Sequence, residues 1–304
     1  MQNGKLGSLE LNRIYQMDCL EGMKRMTDNS IDLTVTSPPY DNLRKYNGYS
    51  FDFEEVAKEL YRITKKGGVV VWVVNDATIK GSESGTSFKQ ALFFKEIGFN
   101  LHDTMIWEKT GNGCLGSQNA YGQVFEYMFI FSKGKIKTHN LIKDRENKIK
   151  SGKVKVNAGL VDGKGYERIV ERKPFGKRTN IWRINQQQRS KHPAPFPEQL
   201  AQDHILSWSN EGDIVLDPFI GSATTAKMAL LNNRNYIGFE ISGEYVDIAN
   251  QRLNQAMSER CGGNDNRVHA KRKDTTPYVD REGMDKGLSM RGEDKLPEQD
   301  MSVL

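Results

Sequence analysis

Two short segments of the chain contain residue types that could do chemistry, and the first is TSPPY at residues 36–40. Proline has no N–H, so the adjacent Pro38 and Pro39 present backbone carbonyl groups that no N–H of their own can satisfy. Beside them stand the hydroxyl group of Ser37 and the aromatic ring of Tyr40. Such a slot can accept hydrogen bonds from an amino group while the ring stacks on a flat heterocycle. In isolation, the same residues are more often a rigid surface turn.

The second segment is DPFIGSATT at residues 217–225, where a predicted strand turns through Gly221 into a predicted helix. Small residues let the backbone approach a ligand, and a helix N-terminus offers N–H groups to a carboxylate or phosphate. No lysine follows the glycine as in a nucleotide P-loop, and two of the three glycines of the dinucleotide fingerprint are missing. Glu240 ends the next predicted strand, where a carboxylate can accept hydrogen bonds from ribose. These features predict a nucleoside cofactor with a carboxylate, such as S-adenosylmethionine, although Asp217 and Glu240 taken singly would more often be helix caps.

The elements that must position these segments alternate between strands and helices. Predicted strands cover residues 14–17, 31–36, 69–74, 101–107, 126–132, 213–217 and 235–240. Predicted helices cover residues 20–26, 53–64, 87–97, 197–208, 224–231 and 244–257. This order predicts an α/β fold with a Rossmann-like, doubly wound, mostly parallel sheet that includes one antiparallel strand pair, 101–107 with 126–132. Ligands of such sheets bind at the carboxyl ends of strands, near the switch in strand order, and both chemical segments follow predicted strands.

Positive charge is concentrated in one part of the chain. Residues 133–191 contain 18 Lys and Arg against 5 Asp and Glu, a net charge of +13, whereas the whole chain carries +5. Up to about residue 185 this basic segment is expected to form an irregular insertion or a small subdomain. Its charge is typical of a region that binds a polyanion, or of a solvated lysine-rich loop. The polar tail is expected to be disordered. The predicted division of the chain is 1–132, 133–190, 191–257 and the tail 258–304.

Taken together and in this order, the segments resemble the amino-methyltransferases of DNA, specifically the permuted (beta-type) subgroup in which the catalytic half precedes the cofactor half. TSPPY at 36–40 is similar to the catalytic motif of that family, and DPFIGSATT at 217–225 is similar to its cofactor loop, usually DPFxGSGTT. KHPAPFPEQL at 191–200 is similar to the helix that enters this loop. The resemblance covers most of residues 14–257. It implies that 1–132 is the catalytic half of a methyltransferase domain, that 133–190 recognises the target, and that 191–257 binds the cofactor.

The resemblance also implies roles for individual residues. The methionine end of S-adenosylmethionine would be held by Asp217, Phe219, Gly221, Ser222 and Thr224, its ribose by Glu240 and its adenine ring by Asp18. The family often has Gly-Asp where this chain has Met17-Asp18, and Ala223 replaces the usual second glycine of the loop. If position 223 needs a positive φ, alanine costs about 1 kcal/mol relative to glycine. The candidates for reading base edges in double-stranded DNA are Arg178, Arg183 and Gln187.

The implied mechanism begins with rotation of a base out of the duplex, because its amino group is unreachable inside the stack. Tyr40 would stack on that base, while the Ser37 hydroxyl and the Pro38 carbonyl would accept the amino hydrogens. The nitrogen would then attack the sulfonium methyl group directly, accelerated mainly by positioning and charge stabilisation. In the family, Ser-Pro-Pro-Tyr goes mostly with N4 of cytosine and Asp- or Asn-Pro-Pro-Tyr with N6 of adenine. Cytosine N4 is therefore expected, and adenine N6 is the alternative.

Several other classes of protein share part of this pattern. An RNA or protein methyltransferase would share the cofactor half. A catalytically inactive DNA-binding module would share the fold. A dehydrogenase fits least, because its glycine pattern is absent from the sequence. None of the three cysteines follows a proline, which argues against the nucleophile of a cytosine-C5 methyltransferase. The Pro-Cys-x-x-Cys segment of a zinc deaminase is also missing, so no metal is expected.

Composition sets the expected surroundings of the protein. The cysteines, Cys19, Cys114 and Cys261, are far apart, as suits a reducing cytoplasm. No apolar stretch approaches the roughly 20 residues needed to span a bilayer, and residues 1–11 lack the pattern of a secretion signal. A cytoplasmic protein that binds double-stranded DNA and no membrane is expected, with a cognate restriction endonuclease as a candidate partner.

Overall fold

The computed structural model describes residues 4–39, 51–110, 121–148, 151–161, 164–185 and 197–262. Its strands in chain order are β1 (Lys5–Leu6), β2 (Leu9–Glu10), β3 (Arg13–Gln16), β4 (Ile31–Thr36), β5 (Thr64–Val74), β6 (Thr78–Ile79), β7 (Ser82–Glu83), β8 (Asn100–Thr110), β9 (Phe125–Ser132), β10 (Arg145–Glu146), β11 (Lys153–Val161), β12 (Lys164–Glu171), β13 (Phe175–Gly176), β14 (Ile181–Asn185), β15 (Ile214–Asp217) and β16 (Asn235–Glu240). Its helices are α1 (Cys19–Lys24), α2 (Phe53–Ile63), α3 (Thr86–Glu96), α4 (Glu198–Trp208), α5 (Thr224–Leu231) and α6 (Gly243–Gly262).

One sheet of eight strands, in the order β14-β8-β9-β5-β4-β15-β16-β3, forms the centre of the fold. β9 is antiparallel to both of its neighbours, and the other adjacent pairs in this sheet are parallel. The predicted α/β fold with a mostly parallel sheet is therefore confirmed, including the antiparallel pairing of β8 with β9. From β4 the chain passes through α2 to β5, whereas from β15 it passes through α5 to β16 on the other side. The strand order consequently switches between β4 and β15, where ligands of such sheets bind.

Helices cover both faces of this sheet, and β5 shows why its sequence is so apolar. Val71 faces the core that contains residues of α4, α5 and α6, and the next residue, Trp72, faces the core that contains residues of α1, α2 and α3. Both side chains are 0% exposed. A strand that is buried on both faces needs apolar residues at successive positions rather than at alternate ones. The apolar run at 69–74 is therefore explained by the position of β5 inside the sheet, where both of its faces are buried.

β5 begins earlier than the sequence predicts. Residues 65–68, between the predicted helix and the predicted strand, lie inside β5, and the pairing of β5 with β4 changes register between Ile31 and Leu33. Gly67 has φ +85°, and a Cβ placed on it would lie 2.8 Å from the Cβ of Lys137. Glycine is required here because the backbone makes an irregular turn within the strand and the 135–137 segment approaches it closely.

The described residues between 133 and about 185 contain regular strands, so the first alternative, an irregular insertion, is wrong. β11 and β12 pair as an antiparallel hairpin, β10 pairs with β13, and β14 joins the main sheet parallel to β8. The signal for β14 is a simple alternation, in which Trp182 and Ile184 are buried and the residues between and beside them are exposed. The alternation is hard to recognise in the sequence because the exposed positions include polar and basic residues, which make the segment polar on average.

The C-terminal boundary also differs from the prediction. α6 continues to Gly262, so the first residues of the predicted tail, 258–262, are helical, and the rest of that tail lies outside the described residues. Among the helices of the described residues, none is both long enough and apolar enough to cross a membrane.

Candidate active site

The two chemical segments meet where the strand order switches. β4 ends at Thr36 and β15 ends at Asp217, and the Thr36 hydroxyl donates a 2.6 Å hydrogen bond to Oδ1 of Asp217. A second contact ties them together, because Thr225 Oγ1 donates to the backbone carbonyl of Val35 at 3.2 Å. Thr36 is 1% exposed and Asp217 is 6% exposed. The structure therefore brings 36–39 and 217–225 to one place, which is the spatial relationship that the predicted chemistry needs.

The described part of the first segment leaves the sheet directly after β4. Ser37, Pro38 and Pro39 follow the strand without regular secondary structure, and Pro38 is buried whereas its two neighbours are partly exposed. Tyr40, the predicted stacking residue, lies outside the described residues. The segment is thus fixed at its start by the bond between Thr36 and Asp217.

Asp217 sits in an unusual electrostatic setting. Burial raises the pKa of its carboxyl group to about 6, although hydrogen bonds from the Thr36 and Thr225 hydroxyl groups and from the Phe219 N–H favour the ionised form. The Phe219 N–H lies 3.1 Å from the same Oδ1 that Thr36 contacts. A buried carboxylate held this way at a strand end is suited to bind a cationic group of a ligand.

The loop after Asp217 has the backbone shape that the sequence suggests. Gly221 has φ +47°, and Ala223 has φ +63° although it is not glycine. Ala223 is the N-cap of α5 and makes no side-chain cap hydrogen bond, so no side chain of this residue occupies the N–H groups of the first helical turn. Such N–H groups can receive a carboxylate. The cost of a left-handed alanine, about 1 kcal/mol, is present in this loop.

Glu240 closes the loop from the next strand. Its Oε2 accepts from the Gly221 N–H at 3.1 Å and its Oε1 accepts from the Ser242 N–H at 2.9 Å. Burial raises the pKa of this carboxyl group, and the backbone donors act in the opposite direction. An ionised carboxylate has about four acceptor positions, so two backbone bonds leave room for hydroxyl donors from a ligand.

Asp18 lies at the same sheet edge, one strand beyond Glu240. It follows β3, which pairs with β16, and its Oδ1 accepts from the Leu20 N–H at 2.8 Å and the Glu21 N–H at 3.3 Å. The side chain therefore caps α1. Asp217, Glu240 and Asp18 therefore lie at or just after the ends of three neighbouring strands, in that order along the edge.

A cluster behind the loop was not predicted. Arg252 of α6 donates to the carbonyl and hydroxyl oxygens of Ser222, and Glu198 of α4 accepts from both Arg252 and Lys227. An arginine on a predicted helix gives no sequence signal of such a role, because its partners come from two other elements.

Of the residues predicted to read DNA, Arg178 is used inside the protein. Its guanidinium group pairs with Asp144 and with Asp203 and lies over the ring of Trp182, and its side chain is 17% exposed. The assignment of Arg178 to base recognition is therefore corrected, because its donors are engaged by the buried Asp203 and the partly exposed Asp144. Arg183 is 43% exposed on the edge strand β14 and contacts Glu108, whereas Gln187 lies outside the described residues.

Comparison with known proteins defines the class to which this fold and site belong. Residues 31–251 match the family model N6_N4_Mtase, described as DNA methylase. The chain is 64% identical over 238 residues to the orphan methyltransferase M.BamHII of Bacillus amyloliquefaciens, covering 74% of this chain and 89% of that protein. Two solved structures share the fold. The cytosine-N4-specific PvuII DNA methyltransferase has a TM-score of 0.59 and 20% sequence identity, and the match covers 83% of this chain and 93% of that one. The M1.HpyAVI-SAM complex has a TM-score of 0.57 and 24% sequence identity, and the match covers 80% of this chain and 98% of that one.

The fold is an α/β fold in which the two chemical segments meet at the switch point of a mostly parallel sheet. The chain belongs to the N6/N4 family of DNA methylases. The resemblance seen in the sequence is thereby confirmed at the level of the family.

Proposed function

We propose that this protein transfers a methyl group from S-adenosylmethionine to the exocyclic N4 of cytosine in double-stranded DNA. The observation that carries the proposal is the hydrogen bond between Thr36 and Asp217, which holds the start of the base-binding segment against the loop for the methyl donor. Methyl transfer to a base needs these two ligands side by side, because positioning supplies much of the acceleration.

The residues at the edge of the sheet fit S-adenosylmethionine. Asp217 offers a buried carboxylate to the ammonium group of the methionine end, and the uncapped N-terminus of α5 suits the carboxylate of that end. Phe219, Gly221, Ser222 and Thr224 lie on the same loop and are assigned to the methionine end as well. Glu240 retains acceptor positions for the ribose hydroxyl groups, and Asp18 is placed for the adenine ring. When bound, the cofactor supplies an electrophilic methyl group on a sulfonium.

The chain's own residues then prepare the base. We assign the Ser37 hydroxyl and the Pro38 carbonyl to the amino hydrogens of a base that has left the duplex, and Pro39 and Tyr40 to the walls of the slot. Accepting both amino hydrogens favours a nitrogen whose lone pair is directed at the methyl group. Burial of Pro38 supports a slot that excludes water around the reacting atoms. This direct attack uses no covalent intermediate with the protein.

Recognition of the target is assigned to residues 133–190, with 1–132 as the catalytic half and 191–257 as the cofactor half of one methyltransferase domain. Basic residues of this insertion would meet phosphate groups and make binding sensitive to salt. Arg183 is a candidate for base contact because it is exposed, and Gln187 is a candidate from the sequence alone. The relative M.BamHII is named an orphan methyltransferase, which favours a solitary enzyme over one paired with a restriction endonuclease.

The choice of cytosine rests on Ser37 at the first position of the Ser-Pro-Pro-Tyr motif. The test is incubation of duplex DNA with the protein and isotopically labelled S-adenosylmethionine, followed by mass spectrometry of the nucleosides. Labelled N4-methylcytosine is expected. Labelled N6-methyladenine would overturn the base assignment and leave methyl transfer standing, and an absence of labelled nucleosides would overturn the proposed activity.

The stacking role of Tyr40 is tested in the same assay. Tyr40→Ala should lower the rate of transfer by about 10- to 100-fold, since base stacking on an aromatic ring contributes about 1–3 kcal/mol. Tyr40→Phe keeps the ring and should retain most of the activity. Binding of S-adenosylhomocysteine should be nearly the same in both variants, and full activity of Tyr40→Ala would remove the stacking role.

A further inference from the structure

We propose that Arg252 is the positioning residue of the donor loop, by which we mean residues 217–225. The inference rests on the proposed function, because it assigns the loop to the methionine end of the cofactor. It adds three residues, Arg252, Glu198 and Lys227, that lie behind the loop and hold its second half in place.

The contacts of Arg252 concentrate on the point where the loop becomes a helix. Its Nη1 lies 2.5 Å from the Ser222 carbonyl oxygen, 2.8 Å from the Ser222 hydroxyl oxygen and 3.3 Å from Thr224 Oγ1. These residues flank Ala223, the left-handed residue at the N-cap of α5. Arg252 therefore binds the loop on both sides of its most strained position.

The other end of the guanidinium group is fixed as well. Nη2 of Arg252 donates to Glu198 Oε1 at 2.8 Å, and the same oxygen accepts from Lys227 Nζ at 2.7 Å. Glu198 is the first residue of α4, Lys227 lies on α5 and Arg252 lies on α6. The side chains are partly buried, with 31%, 22% and 24% exposed. Three helices on one face of the sheet are thus joined directly behind the donor loop.

The arrangement needs an arginine. A guanidinium group has five N–H donors in a rigid plane, so it can donate to the loop and to a carboxylate at the same time. A lysine has one nitrogen, which cannot reach both from this position in the same planar geometry. The side chain contacts Ser222 and Thr224, which the proposed function places at the ligand, and for this reason we describe Arg252 as a positioning residue.

The electrostatic consequence concerns the N-terminus of α5. A carbonyl oxygen beside that terminus would repel an anionic ligand, and Arg252 binds the Ser222 carbonyl and brings a positive charge next to it. With the carbonyl engaged, the first N–H groups of α5 can serve the carboxylate of the methionine end. Loss of Arg252 should therefore weaken the binding of the methionine end of the cofactor and leave the binding of the nucleoside end unaffected.

The experiment compares two ligands that differ at that end. S-adenosylhomocysteine carries the amino acid group, and 5′-methylthioadenosine lacks it. Dissociation constants of both are measured calorimetrically for the full-length protein and for Arg252→Met, Arg252→Lys and Arg260→Met. Arg260 is the matched control, because it lies on the same helix and its Nη1 donates to the Leu230 carbonyl at 3.0 Å, at the opposite end of α5.

We expect Arg252→Met to raise the dissociation constant of S-adenosylhomocysteine by about 10- to 100-fold, because hydrogen bonds from a charged donor are lost. The dissociation constant of 5′-methylthioadenosine should change by less than about twofold. Arg252→Lys should recover part of the affinity, and Arg260→Met should leave both ligands unchanged. Glu198→Gln keeps an acceptor but loses the charge, so it should show a smaller effect of the same selectivity.

Two results would overturn the inference. Equal weakening of both ligands by Arg252→Met would mean that the arginine only supports the fold, and unchanged binding of both would mean that the loop does not depend on it. If the unaltered protein binds neither S-adenosylhomocysteine nor S-adenosylmethionine, the proposed function itself is wrong. This result is distinct from the other two, because it is seen before any residue is substituted.

Discussion

The hydroxyl group of Thr36 and the carboxyl group of Asp217 form a buried hydrogen bond across the boundary between β4 and β15, between residues 181 positions apart. Each residue is the last of its strand and the first of one of the two chemical segments. The two strands are neighbours at the point where the strand order switches. This single contact therefore sets the start of the base-binding segment relative to the donor loop.

Replacement of Thr36 by valine should destabilise the protein, and the same replacement at Thr34 should not. Thr36→Val keeps the shape and removes a donor to a buried carboxylate, so the free energy of unfolding should fall by about 1.5–3 kcal/mol near pH 8. Thr34 lies two residues earlier on β4, is 0% exposed, and its hydroxyl has no hydrogen-bond partner within the part of the chain that the structure describes. Thr34→Val should be neutral or stabilising by about 1 kcal/mol. Urea denaturation measures both, and equal losses would contradict the role given to Thr36.

Asp217 should make the protein more stable in mild acid than it would otherwise be. Burial raises the pKa of its carboxyl group from 3.8 to about 6. Between these values the folded state holds a proton that the unfolded state has released, so the contribution of Asp217 to stability falls as pH rises from about 4 to 6 and is constant above. The full difference is about 3 kcal/mol.

Asp217→Asn tests this contribution, because asparagine keeps an oxygen that can accept from Thr36 but does not titrate. The free energy of unfolding is followed by urea denaturation from pH 4 to pH 8. In Asp217→Asn it should no longer show the decrease between about pH 4 and 6 that Asp217 causes in the unaltered protein. In the unaltered protein, affinity for S-adenosylmethionine should decline below about pH 6 as the carboxylate is neutralised. A variant whose pH profile of stability equals that of the unaltered protein would show that this carboxyl group has an ordinary pKa.

Much of the framework was predictable because its elements are apolar runs with clear ends. β4, α5 and β16 have the predicted bounds, and two of their ends are marked in the sequence, since Pro38 and Pro39 come one residue after β4 and Asn232 directly follows α5. Both chemical segments were recognisable for the same reason, since each follows a strand. The positive φ at Ala223 could also be anticipated, because related loops have glycine there.

The contacts between distant residues were not predictable. Nothing in the sequence near Thr36 or Arg252 says which side chain lies beside it, since that depends on the order of strands and on which helices share a face. Arg178 shows the opposite error, in which a basic residue of a basic segment was taken for a DNA contact. Its acidic partners, Asp144 and Asp203, lie 34 and 25 residues away in the chain.

Arg178 and Arg183 should therefore respond to substitution in different ways. Arg178→Met leaves Asp203, which is 1% exposed, without its cationic partner, and should lower the free energy of unfolding by about 3–5 kcal/mol. Arg183→Met removes a partly exposed pair with Glu108 and should change stability by less than about 1 kcal/mol. If Arg183 contacts DNA as proposed, its substitution weakens duplex binding in a titration at fixed salt. Comparable stability of the two variants would show that the Arg178 cluster is not a structural one.

His204 should act on stability in the opposite direction to Asp217. Its ring is 0% exposed and stacks on Trp182 at 4.5 Å between centroids, and its Nδ1 accepts from the Trp208 indole at 3.3 Å. Burial, followed by the nearby charge of Arg178, lowers the pKa of His204 to about 3. Below about pH 6.5 the unfolded state takes up a proton that the folded state refuses, so the stability contributed by neutral His204 is present above that pH and is lost as pH falls towards 3.

His204→Gln should consequently flatten the loss of stability on acidification, whatever its effect at neutral pH, because glutamine has no titrating group. Urea denaturation at several pH values between 4.5 and 7.5 gives the slope, and His139→Gln, at an exposed histidine, serves as the control. Asp217→Asn and His204→Gln should change the slope with opposite signs, since one group gains a proton on folding in this range and the other loses one. A His204→Gln variant with an unchanged slope would mean that the imidazole accepts its proton without unfolding, and that the cluster with Trp182 and Trp208 opens to water in mild acid.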